Sequence, residues 1–335
     1  MEYRILGKTG LKVSSLGFGG IPIQRIDAAG TRVLMEKLVE YGINYIDTAR
    51  GYSVSESYLG EALTGIRDKF VLATKSMARD KVGMANDIDI SLANLRTNYI
   101  DLYQVHNPSM AQLDQIISEG GALEALKEAR DAGKIGHIGL TAHSLEVFER
   151  ALTLDWVETI MFPYNIVETQ GEELIKKCAD KNIGFIDMKP LAGGAIEDAT
   201  LAVRFVSSNP YVSVTIPGMA EISEVEQNLA AVNDTAPLSD AELGKINAIR
   251  KELGTQFCRR CGYCAPCSVG IIIPNMFVFS GYLERYGLAD WAKGRYDTQA
   301  KTASDCIECG ICETRCPYNL PIREMLKHTA KAFGK

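Results

Sequence analysis

The chain has 335 residues, more than one average domain, with 46% hydrophobic and 23% charged residues, and so reads as soluble, globular and long enough for two buried cores. A net charge of −6 and a pI near 5.4 give no general attraction to nucleic acid, so no nucleic-acid partner is expected. The opening MEYRILGKTG lacks the apolar core of a signal peptide. The longest apolar stretch, Ile271 to Ser280, is broken by Pro274 and Asn275, far short of the roughly 20 residues of a bilayer span. These features predict a cytoplasmic protein with no membrane partner, a setting in which dense cysteines point to metal rather than to disulfides.

In chain order, the pattern predicts a hairpin first, Tyr3 to Leu6 with Leu11 to Ser14. Strand candidates follow at Ser15 to Gly19, Ile43 to Asp47, Phe70 to Thr74, Ile100 to Val105, Ile135 to Leu140, Val157 to Phe162, Gly184 to Met188 and Val212 to Ile216. Amphipathic helical stretches separate them, which argues for parallel strands joined by helices. Eight such units over about 250 residues make a (β/α)8 TIM barrel. Gly17, Gly19 and Gly20 in SLGFGG read as close packing beneath the first loop. Cys178, in the helical stretch EELIKKCADK, reads as a small buried filler.

The remaining eight cysteines lie between Cys258 and Cys316, which places a domain boundary near 255: a barrel over 1–255 and a small, mostly α-helical module over 256–335. The module holds 11 Lys and Arg against 7 Asp and Glu, while the first 255 residues sum to −10. Cys258, Cys261, Cys264 and Cys267 are spaced by two residues, and Cys306, Cys309, Cys312 and Cys316-Pro317 form the C-x2-C-x2-C-x3-C-P run of bacterial ferredoxins. That run predicts two 4Fe-4S clusters. In two-cluster ferredoxins the fourth cysteine ligates the other cluster, so Cys258, Cys261, Cys264 and Cys316 are expected to hold one and Cys306, Cys309, Cys312 and Cys267 the other. The first group departs from the run in its last spacing and in having Ser268 where proline is usual. Paired CxxC knuckles also describe zinc sites, and zinc is the competing reading.

A barrel works at the C-terminal ends of its strands. Asp47 ends the second barrel strand, with Tyr52 following in DTARGY; Lys75 ends the third in VLATKS and His106 the fourth in LYQVHNP. Each alone has a structural explanation, but together, on adjacent strands, they converge on one point. Two glycine-bearing loops, Pro190 to Gly194 with Gly193 and Gly194, and Pro217-Gly218, stand where barrels bind phosphate, with Lys189 beside the first. A flavin phosphate fits there as well as a nucleotide.

With NYIDTARGYSVSESYLGEAL and DLYQVHNP, residues 1 to 235 resemble the aldo-keto reductase superfamily, and with the cysteine-rich tail the whole chain resembles its iron-sulfur branch. The resemblance implies a catalytic set of Asp47, Tyr52, Lys75 and His106 acting on a small carbonyl or alcohol. Tyr52 would exchange the proton, Lys75 would stabilise its anion, Asp47 would hold Lys75 charged, and His106 would orient the substrate oxygen. The nicotinamide pocket departs from the family. Where typical members have a Ser-Asn pair, a Gln and a stacking Tyr, this chain has Thr141, Ala142, Met161 and Met188. Asn228 matches the adenine-contacting Asn, but Glu224 replaces the Arg that pairs with a 2′-phosphate, so NAD(H) is expected over NADP(H).

Three functions remain open at this level. One is an oxidoreductase whose clusters exchange electrons with an external carrier such as ferredoxin. The second is a nicotinamide-dependent reductase with structural clusters, and the third a non-catalytic electron-transfer or redox-sensing protein.

Overall fold

The computed structural model describes residues 1–254 and 256–335; Thr255, where the domain boundary is expected, lies outside the described residues. The chain forms two compact units, Met1–Pro190 with Asp198–Leu238, and Leu191–Glu197 with Ser239–Lys335.

The first unit opens with the antiparallel hairpin β1 (Tyr3–Ile5) and β2 (Lys12–Ser14). Then come β3 (Phe18–Gly19), α1 (Ala28–Glu40), β4 (Tyr45–Asp47), α2 (Ser55–Ala62), β5 (Val71–Ser76), α3 (Lys81–Asn94), β6 (Ile100–His106), α4 (Met110–Ile117), α5 (Ala122–Asp131), β7 (Ile135–Thr141), α6 (Leu145–Ala151), β8 (Thr159–Pro163), α7 (Glu172–Asp180), β9 (Gly184–Met188), α8 (Ala199–Ser207), β10 (Val214–Ile216) and α9 (Ile222–Asn233). Strands β3 to β10 lie in sequence order and pair in parallel. Parallel bridges Leu16↔Thr215 and Gly19↔Gly218 join the first strand to the last, closing the barrel.

Why the ring closes here follows from the SLGFGG glycines. A Cβ at Gly17 would lie 2.9 Å from side-chain atoms of Ile216, Tyr45 and Val214, and one at Gly19 would lie 2.9 Å from the Ile216 carbonyl. Only glycine lets the first strand approach the last this closely.

Alternation in each strand decides what faces inward. Tyr45, Ala73, Leu102, Met161, Ile186, Val214 and Ile216 form the interior cluster, together with Leu6 and Val13 of the hairpin. Leu6 sits against Gly184, the first residue of β9, so the hairpin plugs the N-terminal mouth. The other parity packs outward on the helices; Phe162 and Phe185 meet Phe148 of α6 at ring-centroid distances of 5.0 and 6.0 Å. The C-terminal mouth is thereby left to carry the polar inward residues.

The second unit contains α10 (Asp240–Leu253), α11 (Ile273–Glu284), α12 (Ala289–Asp297), α13 (Ile311–Thr314) and α14 (Ile322–Ala332). Its core unites Met276, Phe279, Tyr296, Leu326 and Phe333 with the thiols of Cys264 and Cys312. Tyr296 and Phe333 stack at 4.0 Å, and the Tyr296 hydroxyl accepts from the Ala303 amide at 3.1 Å. No helix of the described residues is long and apolar enough to cross a membrane.

Candidate active site and cysteine cavities

Strand register brings the four barrel residues to one rim. Asp47 is the last residue of β4 and His106 the last of β6, while Lys75 lies one residue before the end of β5. Lys75 pairs with Gln104, and Gln104 lies two residues before His106 on the same face. Lys75 Nζ donates to Asp47 Oδ2 and, at 2.8 Å, to the Thr48 carbonyl. The same ammonium stands 4.9 Å from the centre of the Tyr52 ring, whose plane meets that of His106 edge-on with centroids 6.3 Å apart.

Asp47 and Lys75 are both almost fully buried. Burial pushes the Asp47 carboxyl up and the Lys75 ammonium down, and their ion pair opposes both shifts. Gln104 Nε2 completes the pair by donating to Asp47 Oδ1 at 3.1 Å. Sequence reasoning passed over Gln104; its signal was a polar residue two positions before His106, on the same face of the strand.

The loop carrying Tyr52 is tied down from beneath. Ser55 Oγ donates to the Gly20 carbonyl at 2.9 Å, and the Arg50 amide donates to the Lys75 carbonyl at 3.0 Å. Glu56, 1% exposed, accepts from Thr74 Oγ1 and Ser91 Oγ at 2.8 Å each and from Asn94 Nδ2 and Arg50 Nη1 at 3.1 Å each. Arg79, likewise not singled out from sequence, donates to the His106 carbonyl at 2.8 Å; burial lowers its guanidinium to about 10.

Of the expected cofactor residues, Thr141 pairs with His106 and with Met161 across the sheet, and Met188 pairs with Ile216. Thr141 Oγ1 accepts from the Asn107 amide at 3.0 Å, and Met161 and Met188 pack with the apolar interior. Lys189 adopts a left-handed backbone (φ 61°), and its carbonyl accepts from Asn165 Nδ2 at 3.0 Å. Gly193 and Gly194, also left-handed, belong to the second unit, where Arg285 Nε donates to the Gly193 carbonyl at 3.0 Å. Pro217 and Gly218 belong to the first unit, and the Pro217 carbonyl accepts from the Gly19 amide. Asn228 is 4% exposed and its Oδ1 has no hydrogen-bond partner among the described residues, a buried acceptor that a ligand donor would satisfy. Glu224 Oε2 accepts from the amides of Ala220 at 2.6 Å and Glu221 at 3.1 Å, so a carboxylate already takes the two amides just before α9.

In the second unit the eight clustered cysteines divide into two cavities. Cys258, Cys261, Cys264 and Cys316 line one, and Cys267, Cys306, Cys309 and Cys312 line the other; Ile273 borders both. Each loop runs the same local course: Arg260 and Gly262 flank Cys261 with positive φ, as Glu308 and Gly310 flank Cys309. This repeated left-handed pair accounts for the glycine, Gly262 or Gly310, that follows the second cysteine of each run.

The donor set fits iron-sulfur groups. Burial and the neighbouring Cys258 and Cys261 push the Cys264 thiol up to about 12, and a cationic core, which such a group would supply, favours its thiolate. Among the described residues no three His, Cys, Asp or Glu side chains are grouped to hold a single metal ion; four cysteines line each cavity. Cys178, outside both cavities, is fully buried, with burial raising its thiol to about 12.

A closed parallel barrel with a buried Lys-Asp pair, a tyrosine and a histidine at its C-terminal rim, joined to a cysteine-rich helical unit, defines a (β/α)8-barrel oxidoreductase with a redox-cofactor domain. Comparison with known proteins gives the family. The aldo/keto reductase family model matches residues 15–200 and a 4Fe-4S dicluster domain matches residues 257–321. The chain is 29% identical to the L-galactose dehydrogenase of Arabidopsis thaliana, over 74% of this chain and 94% of that one. It is 33% identical to the aldo-keto reductase YhdN of Bacillus subtilis, over 54% of this chain and 59% of that one. Among solved structures it resembles the holo form of aldo-keto reductase AKR11C1 from Bacillus halodurans, with a TM-score of 0.64 and 26% identity, covering 74% of this chain and 96% of that one. The chain belongs to the aldo/keto reductase family and carries a C-terminal 4Fe-4S dicluster domain.

Proposed function

We propose that the protein interconverts a small carbonyl and its alcohol at the barrel mouth, and that its dicluster domain exchanges electrons with an external carrier such as ferredoxin. The observation that carries the first part is the Lys75 ammonium, held between the Asp47 carboxylate and the Tyr52 ring. A tyrosine near pKa 10 is a poor acid at neutral pH unless its anion is stabilised. A buried cation 4.9 Å from the ring centre does this, and Asp47 with Gln104 keeps that cation in place. In reduction Tyr52 gives its proton to the carbonyl oxygen while His106 orients that oxygen; in oxidation Tyr52 takes the proton back.

A nicotinamide, when bound, supplies or accepts the hydride, and the family uses nicotinamide cofactors. Thr141, Met188 and Asn228 would hold it, with Lys189, Pro217 and Gly218, all of the same unit, toward its phosphates. NAD(H) suits the chain better than NADP(H), because the Glu224 carboxylate occupies the amides of Ala220 and Glu221 and repels a further phosphate. The name of the Arabidopsis relative, a dehydrogenase of a sugar, is compatible with an alcohol substrate.

We assign Cys258, Cys261, Cys264 and Cys316 to one 4Fe-4S group and Cys267, Cys306, Cys309 and Cys312 to the other, as the cavities group them. The matched segments, 15–200 and 257–321, fall on either side of a barrel-module boundary near 255. Because Cys264 and Cys312 are part of the module's core, the clusters would also stabilise its fold. The setting we propose is cytoplasmic.

Tyr52→Phe is the direct test. Proton transfer from a positioned group contributes about 10² to 10⁴-fold, so turnover should fall by that factor while the visible spectrum of the anaerobically purified protein is unchanged. Full activity in the variant refutes the assignment. The same spectrum reports whether a flavin accompanies the clusters.

A further inference from the structure

The two cavities are built as a pseudo-repeat that departs from symmetry in the last cysteine spacing and at the residue after the fourth cysteine. In each loop the fourth cysteine crosses to the cavity of the other loop: Cys267 joins Cys306, Cys309 and Cys312, and Cys316 joins Cys258, Cys261 and Cys264. The residue after each crossing cysteine lines the same cavity, Pro317 in one and Ser268 in the other. Proline has no N–H and no side-chain donor. Serine has a hydroxyl, and Ser268 Oγ lies 3.5 Å from Cys309 Sγ, within hydrogen-bond range for sulfur. Cys309 is the exposed thiol of its cavity, flanked by Ile307 at 63% and Ile311 at 42% exposure.

We propose that Ser268 sets the reduction potential of the iron-sulfur group held by Cys267, Cys306, Cys309 and Cys312, an inference that rests on the ligand assignment above. A ligating cysteine is a thiolate without a proton, so Cys309 can only accept and Ser268 must donate. A donated hydrogen bond draws negative charge from the sulfur and so favours the reduced, more negative group. The Ser268 that breaks the ferredoxin-type run is thus a tuning residue, acting on the group whose thiolate is nearest solvent. The other cavity has Pro317 in its place and lacks this donor, so the two groups of one chain are made electronically distinct.

The experiment is an EPR-monitored redox titration of the anaerobically purified full chain, wild type against Ser268→Ala and Ser268→Thr, with iron and acid-labile sulfide measured in each. In Ser268→Ala one of the two midpoints should move to a more negative potential while the other stays in place; Ser268→Thr, which keeps a hydroxyl, should stay close to wild type. Two unmoved midpoints, an equal shift of both, or a threonine variant that behaves like alanine overturns the proposal. If Ser268→Ala and Ser268→Gly both lose one group, Ser268 serves assembly and the tuning role is refuted. A wild-type chain without two iron-sulfur groups refutes the ligand assignment itself, an outcome distinct from two intact groups whose midpoints do not respond.

Discussion

Glu56 offers the sharpest test of how the fold holds the catalytic loop. Its carboxylate is buried and accepts four hydrogen bonds, two hydroxyl donors at Oε1 (Thr74, Ser91) and two nitrogen donors at Oε2 (Asn94, Arg50). Glu56→Ala removes the acceptor of all four; Ser91 keeps the Tyr103 hydroxyl at 3.2 Å and the partly exposed Arg50 keeps Asp87 at 3.5 Å, but Thr74 is left without its acceptor and a charge pair is lost, at a cost of about 3 kcal/mol. Glu56→Gln behaves differently. With its amide oxygen at the Oε2 position it still accepts from Asn94 and Arg50, and its amide nitrogen donates to the hydroxyls of Thr74 and Ser91, which can turn and accept. Only the charge is lost, so glutamine should cost about 1–2 kcal/mol, the difference between a charge-assisted and a neutral hydrogen bond. With a urea dependence on the order of 1–3 kcal/mol per molar, the alanine variant should melt at least about 1 M earlier than wild type and the glutamine variant much closer to it. Because Arg50 lies between Asp47 and Tyr52, turnover should fall in the same order, alanine below glutamine. Equal urea midpoints for the two variants would show that the network does not bear on stability as its geometry requires.

Gly60 lies inside α2, where helix propensity alone favours alanine by about 1 kcal/mol. A Cβ there would stand 2.1 Å from the Asn94 carbonyl oxygen, so Gly60→Ala should instead destabilise by about 1–3 kcal/mol in urea melts, and a stabilised variant would contradict the packing. Asp187 is fully buried, accepting from Tyr164 N at 3.0 Å and Thr215 Oγ1 at 2.6 Å, and burial, with Glu168 adding to it, holds its carboxyl well above the usual range. A native pKa raised above the unfolded value near 3.9 contributes stability that is complete below that value and is lost as pH rises toward the native pKa. Asp187→Asn should therefore gain on wild type as pH rises from 4 toward 8, at up to about 1.4 kcal/mol per pH unit, in urea melts across that range; parallel curves would exclude the effect.

Much of this protein was legible in its sequence because the signals are local and periodic. Eight strands recur at the alternation a parallel barrel needs, and all eight are present, several shorter than expected: Ser15 to Gly19 narrows to Phe18–Gly19 and Val212 to Ile216 to Val214–Ile216. The trimmed residues sit at the barrel's closing seam and ends, where bridges and turns replace regular pairing. Cysteine spacing is equally local, since thiols two residues apart must lie on one loop. The family resemblance, too, rested on short runs such as DTARGY.

What the sequence could not decide depends on residues far apart in the chain. Gln104 reaches Asp47 across 57 positions, and Glu56 gathers Thr74, Ser91 and Asn94 from two other elements; no spacing announces either. Ser268 looked like a blemish in a motif until the fold set it 3.5 Å from a sulfur 41 residues away. Residue types and periods fix which faces are buried, because burial of apolar surface acts residue by residue. Which buried polar groups satisfy one another is settled only when the chain closes on itself, since a hydrogen bond needs its partner within about 3 Å.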